Sequence, residues 1–246
     1  MATVSTKSSS PLSPPPPSPD LLPLRGAEGA LAARGLTVVV DVLRAFTTAA
    51  YAFARGARDI VLVSTVEEAF AVRQRYPDAL LIGEVGGRLI PGFDLDNSPT
   101  HMQQADVAGR RLVQRTGAGT QGVVLAAAAE ERVLASLVVA RATVAYVQSR
   151  APRQVSLLAT NPAASPYNED DACADYLAAL LRGEPPDVET TLLRVRESAD
   201  ARELTDSLGD DFPPTDLDLA LALDRFDFAM PVERREGLWV ARCVKM

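Results

Sequence analysis

The chain has 246 residues, enough for one large domain or two small ones and for a substantial core. A formal charge of −7 and a pI near 4.9, without a basic patch, argue against nucleic acid as a partner and leave long-range repulsion for any anionic ligand. No apolar run approaches the ~20 residues of a membrane span, and no apolar segment follows Lys7 as a secretory signal requires, so the expected compartment is the cytoplasm.

Residues 1–20 are rich in Ser and Pro, cannot bury enough apolar surface to offset ordering, and are expected to form a disordered tail before an α/β domain over 21–246. From there β-branched runs alternate with helical patterns. Residues 36–43 read as a buried strand ending at Asp41, and 44–57 as an Ala-rich helix stopped by Gly56. A strand over 59–64 precedes a helix capped by Thr65, and a strand over 79–83 runs into the stretch GEVGGRLIPGFDLDNSP. Strands over 111–116, 132–137 and 155–160 each lead into a helix, the last stopping at Gly183. This order predicts a three-layer α/β/α fold with a mostly parallel sheet. Residues 184–216 read as loops and short helices, and 226–244 as a hairpin turning near Glu236 and Gly237.

Ligands of open α/β sheets bind beyond the carboxyl ends of the strands, and the chemically suggestive residues fall there. Asp41, Arg44, Thr47 and Thr48 follow one strand, Glu84 another, the turn TGAGT (116–120) a third, and Asn161 with 165–171 a fourth. The turn resembles a phosphate cradle, because glycines admit an oxyanion and a helix start offers N–H groups, but it lacks the lysine of a Walker A loop. Asp41 at a buried strand end needs a counter-charge, and Arg44 is the natural partner. The sequence Asp41-Val42-Leu43 lacks the second Asp that haloacid-dehalogenase phosphatases require. His101, the single histidine, is expected at a helix start after Ser98-Pro99. The oxygen-rich acidic loops suit Mg²⁺ better than zinc. Glu169, Asp170 and Asp171 open a helix whose dipole they complement. Cys173 and Cys243 have no disulfide-framework or zinc spacing and are expected to be reduced and buried.

Together, DVLRAFTT (41–48), GEVGG (83–87), GFDLDNSP (92–99), the end of TGAGT and EDDACADYLAALL (169–181) resemble the 2-phosphosulfolactate phosphatase family in residues and order. The resemblance implies a Mg²⁺-dependent hydrolase that converts 2-phospho-3-sulfolactate to 3-sulfolactate and phosphate, a step of coenzyme M synthesis in archaea. Carried over by position, the site would comprise Asp41, Arg44, Thr47, Glu84, Asp94, Asn97, Ser98, Thr116, Gly119, Thr120, Glu169 and Asp170, with Arg88 and Arg115 as extra cations for the anionic substrate. Asp41, Glu84 and Asp94 are the candidate Mg²⁺ ligands, Asp94 also orienting the attacking water. Arg44 and the turn amides would stabilise charge on the phosphoryl oxygens. Asp96 is set aside as a solvated loop acid. Two departures stand out: Ala118 where the family usually has Asn, and Val139-Ala140 where Asn is frequent. They leave open a phosphatase of another small phosphorylated acid, or a non-catalytic phosphoester-binding homologue. Oligomeric state, a homodimer included, is not fixed by the sequence.

Overall fold

The computed structural model describes residues 19–161, 168–206 and 211–246. All but the last two residues of the expected tail, and Ser165 to Tyr167 of the last strand-end stretch, lie outside the described residues.

Among the described residues the chain begins with β1 (Asp20–Arg25), α1 (Gly26–Ala32), β2 (Leu36–Val40), α2 (Ala45–Ala54), β3 (Asp59–Leu62), α3 (Val66–Arg75), β4 (Leu80–Val85) and β5 (Arg88–Leu89). It continues with α4 (Pro99–Gln104), β6 (Arg111–Arg115), α5 (Gly119–Leu125), β7 (Glu131–Ala135), α6 (Ala140–Arg150), β8 (Gln154–Ala159) and α7 (Glu169–Arg182). The last part holds α8 (Val188–Arg196), α9 (Ala199–Asp206), α10 (Thr215–Ala220), β9 (Phe228–Arg235), β10 (Leu238–Ala241) and β11 (Val244–Lys245). No helix among the described residues is long and apolar enough to cross a membrane.

The α/β expectation is met. Alternate residues of one strand face opposite layers. In β2, Val39 joins a core with Phe46 and Phe53 of α2, whereas Val38 and Val40 join a second core with Val144 of α6 and Tyr176 of α7. All five residues of β2 are buried, as a β-branched run covered on both faces should be. Thr65 caps α3 in a reciprocal capping box with Glu68, and Gly183 ends α7 in the left-handed conformation.

The sheet runs β1-β8-β2-β7-β9-β10-β3-β6-β4-β5, with β11 against β9. β1-β8-β2-β7 is internally parallel, and so is β3-β6-β4. Two features depart from the sequence reading. β1, which starts at the last residue of the expected tail in a stretch read without a strand, extends the sheet beside β8. The predicted hairpin does form, with Arg235 opposite Leu238 across a two-residue turn in which Glu236 and Gly237 both have positive φ. It does not sit at an edge, however: β9 pairs antiparallel with β7 and β10 with β3, so the C-terminal hairpin joins the two parallel blocks. Three successive antiparallel pairings make the blocks run in opposite senses. Residues beyond the carboxyl ends of both blocks nevertheless line one cavity.

Candidate active site

That cavity, of ≈ 670 Å³, is lined by Asp41 beyond β2, Glu84 of β4, Thr116 to Ala118 beyond β6, and Thr160 with Asn161 beyond β8. Asp200 of α9 and Phe212 also line it.

Asp41 stands at the start of α2, where its Oδ1 accepts the Ala45 N–H at 2.8 Å. The Gly119 amide also bonds its carboxylate, and a Cβ at Gly119 would lie 2.6 Å from Asp41 Oδ2, so the close approach requires glycine. Burial first, then the charges of Glu84 and Asp200, push the Asp41 pKa up to about 7 against the pull of the Ala45 amide. Glu84 reaches across two turns: its Oε2 accepts the Gly87 N–H at 2.8 Å, and its Oε1 accepts the Gly117 N–H. Thr116 and Thr120 are buried, and the backbone amide of each donates to the other's hydroxyl. The turn read as a phosphate cradle thus directs the amides of Gly117 and Gly119 at two carboxylates of the chain itself. Its role in this structure is to fix Asp41 and Glu84 at the cavity wall.

Arg44 is not the partner of Asp41. Its guanidinium donates to Asp216 Oδ2 at 2.8 Å, to the Asp211 carbonyl at 2.7 Å and to the Gly87 carbonyl at 3.1 Å, and it lies over the Phe212 ring. Asp216 is fully buried and needs a cation, whereas Asp41 is already held by main-chain donors. Asp216 was not legible as a site residue, because 184–216 carries no motif, only short helices.

Glu169 and Asp170 are buried rather than solvated at the start of α7. Asp170 accepts from the Val42 amide at 2.8 Å and from the Thr160 hydroxyl and Asn161 amide, each at 3.2 Å, which ties the ends of β2 and β8 together. Burial, then Asp41, holds its pKa well above the carboxylate range. Glu169 accepts from Asn161 Nδ2 through one oxygen, and its other oxygen is buried with no hydrogen-bond partner among the described residues. Burial, Asp170 and Asp200 raise its pKa to about 10. Asn161 also donates to Asp200 at 2.8 Å, so Asp200, missed in the sequence, belongs to the same acidic group. For Asp41 and Glu169 the native state retains protons that the unfolded chain, with ordinary carboxylates, has released. Stability without divalent cations is therefore expected to fall as pH rises from about 4 to 7 through Asp41, and on toward 10 through Glu169. Thermal denaturation at pH 5 and pH 8 checks this; a Tm that is flat or higher at pH 8 would contradict the crowding.

The remaining expected residues divide. Asn97 lines the cavity, and its carbonyl accepts from Thr48. Ser98 caps α4 and donates to Asp216 at 2.7 Å, and Thr47 donates to the Val42 carbonyl; both are structural ties. Asp94 is exposed, ion-paired with Arg73 and bonded by the Leu81 amide, and does not line the cavity. Phe93 beside it packs on Phe70 of α3, which directs this part of the loop to the α3 layer. Asp96 is buried, contrary to the solvated reading, and accepts from the Ser98 amide while pairing with His101 Nδ1 at 2.8 Å. His101 lies in the first turn of α4, as expected. Arg88 is exposed on β5, and Arg115 donates to the Glu84 carbonyl; neither lines the cavity. Cys173 is buried and free, but Cys243 is free and exposed.

No three His, Cys, Asp or Glu side chains among the described residues are grouped closely enough to enclose a metal. Asp41 and Glu84 nevertheless fit a hydrated Mg²⁺, which takes only one or two carboxylates and keeps waters or phosphate oxygens. Burial raises Asp41 most, and repulsion from Glu84 and Asp200 adds to it, which a bound cation would relieve.

The geometry can be set beside known proteins. A family model described as 2-phosphosulpholactate phosphatase matches residues 24–210. The chain belongs to this family. The 2-phosphosulpholactate phosphatase family carries the name of a phosphoric monoester hydrolase, and its match covers every residue described above as lining the cavity except Phe212. A Bacillus subtilis relative named "Probable 2-phosphosulfolactate phosphatase" is 36% identical over 161 residues, 65% of this chain and 69% of the relative. Relatives of the same name from Deinococcus radiodurans (41% over 150 residues; 59% and 62%) and Thermus thermophilus (35% over 173; 68% and 72%) are also similar.

Proposed function

We propose that the protein is a Mg²⁺-dependent phosphatase that hydrolyses 2-phospho-3-sulfolactate to 3-sulfolactate and inorganic phosphate. The observation that carries this reading is the pair of carboxylates, Asp41 and Glu84, fixed by amides at a cavity wall with no ion pair to either among the described residues. They are the residues that would hold Mg²⁺, and the ion when bound would supply the positive charge that draws in and polarises a phosphate ester. Asp94, ion-paired elsewhere, is replaced in this account by Asp200, which faces the same cavity and is oriented by Asn161. Asp200 would take the proton of the attacking water, while Asp41 and Glu84 would hold the cation. Arg44 acts indirectly, holding the Gly87 carbonyl and Phe212 at the cavity edge.

One observation favours a second substrate. Arg44, the one arginine lining the cavity among the described residues, is already engaged by Asp216, and Ala118 lines the wall without a polar side chain. A substrate with fewer anionic groups than phosphosulfolactate would suit such a wall. Phosphate release with Mg²⁺ is therefore to be compared on phosphosulfolactate, phospholactate and phosphoglycerate. The proposal expects the highest kcat/KM on phosphosulfolactate. A higher value on either other acid moves the substrate, and no release from any of them, with ligand-dependent thermal stabilisation retained, makes the chain a binding protein.

A further inference from the structure

A second groove, of ≈ 830 Å³, lies around the start of β7 and the β9–β10 hairpin and shares no lining residue with the first cavity. Arg132 of β7 is opposite Val232 of β9, and Arg234, two residues on, is opposite Trp239 of β10. The strand period puts Arg132, Arg234 and Trp239 on one face of the sheet. Both guanidinium groups lie over the same indole, with carbons 4.1 Å (Arg132) and 4.7 Å (Arg234) from the ring centroid.

Arg132 is 3% exposed. One of its terminal nitrogens donates to the Ala126 carbonyl at the end of α5, but its Nε is buried with no partner among the described residues. Burial and the charge of Arg234 hold its pKa below the usual arginine value. The acids of the groove are turned elsewhere: Glu131 binds the Tyr146 hydroxyl and Arg150, and Glu233 binds Arg235 and Arg242. Glu130 is exposed, and neither Arg132 nor Arg234 has an ion pair among the described residues. Capping of α5 explains one donor of Arg132. It does not explain the buried Nε or a second cation drawn to the same ring.

We propose that this groove is an oxyanion-binding site, in which Arg132 and Arg234 hold a small tetrahedral anion of the phosphate or sulfate class beside Trp239. Two guanidinium forks offer the paired donors such an anion accepts, and burial of one of them strengthens the contact. The inference is independent of the reaction proposed above.

Trp239 is the only tryptophan in the chain, so its fluorescence reports this groove directly. Full-length protein is to be titrated with sodium phosphate and with sodium sulfate, ionic strength being held constant with chloride to remove screening effects. A saturable change in emission is expected, with its midpoint raised about tenfold in Arg234→Gln, since one charge-assisted donor is lost. Arg234→Gln should leave phosphatase turnover unchanged, and Asp41→Asn should leave the titration unchanged. The site is overturned by a response no different from chloride, by an equal midpoint in Arg234→Gln, or by loss of the response in Asp41→Asn.

Discussion

Asp41→Asn is expected to reduce phosphate release on the order of 10³-fold or more while the fold persists. The amide can still accept the Ala45 N–H through its oxygen, so the start of α2 keeps its cap. The negative charge is lost, and with it half of the pair proposed to hold Mg²⁺. Because that charge is disfavoured by burial, Glu84 and Asp200, its removal should not lower the Tm at pH 8 and should flatten the fall of stability between pH 5 and 8. Steady-state kinetics and thermal denaturation of the same preparation separate the two effects. Turnover within tenfold of wild type would remove Asp41 from the chemistry, and an unfolded variant would make its role structural.

Asp216→Ala has the largest expected effect on stability. Asp216 accepts from Arg44, from the Ser98 hydroxyl and from the Thr100 amide, all within 3.0 Å, and both partners of the ion pair are buried. Removing the carboxylate strands a guanidinium away from water, which costs about 3–5 kcal/mol, or a fall in Tm on the order of 10 °C in a chain of this size. The variant should also lose activity, because Arg44 positions Gly87 and Phe212 at the cavity edge. Adding Arg44→Met removes the stranded charge and should recover part of the stability without recovering activity. A loss below about 1 kcal/mol in chemical denaturation would show that water reaches Arg44 and that the pair does little.

The parts of the fold that could be read from the sequence are those written in local chemistry. The run Leu36 to Val40, the Thr65 cap, the Gly183 stop and the Glu236-Gly237 turn each state their structure within a few residues. The position of the hairpin inside the sheet depends on pairings more than 90 residues apart, which no local pattern encodes. The site divides along the same line. Asp41, Glu84 and the Thr116–Thr120 turn were visible because strand ends, glycines and acids coincide there. Asp94 and Asp96 look equivalent in GFDLDNSP, but Phe93 turns one acid toward Arg73, while the cap of α4 buries the other beside His101. Asp200 and Asp216 sit in short helices where acids ordinarily face solvent, so the placement of Asp200 at the cavity and the burial of Asp216 left no sequence signal.

The central claim is that Asp41 and Glu84 hold a divalent cation at the cavity wall. A crystal structure grown with Mn²⁺ in place of Mg²⁺ and with inorganic phosphate tests it most directly, through the anomalous signal of the metal. The account predicts one peak at about 2.0–2.2 Å from carboxylate oxygens of both Asp41 and Glu84, with waters or phosphate oxygens filling the other positions. A peak at Asp94, a peak enclosed by Glu169 and Asp170 alone, or saturating Mn²⁺ with no peak in the cavity would contradict it.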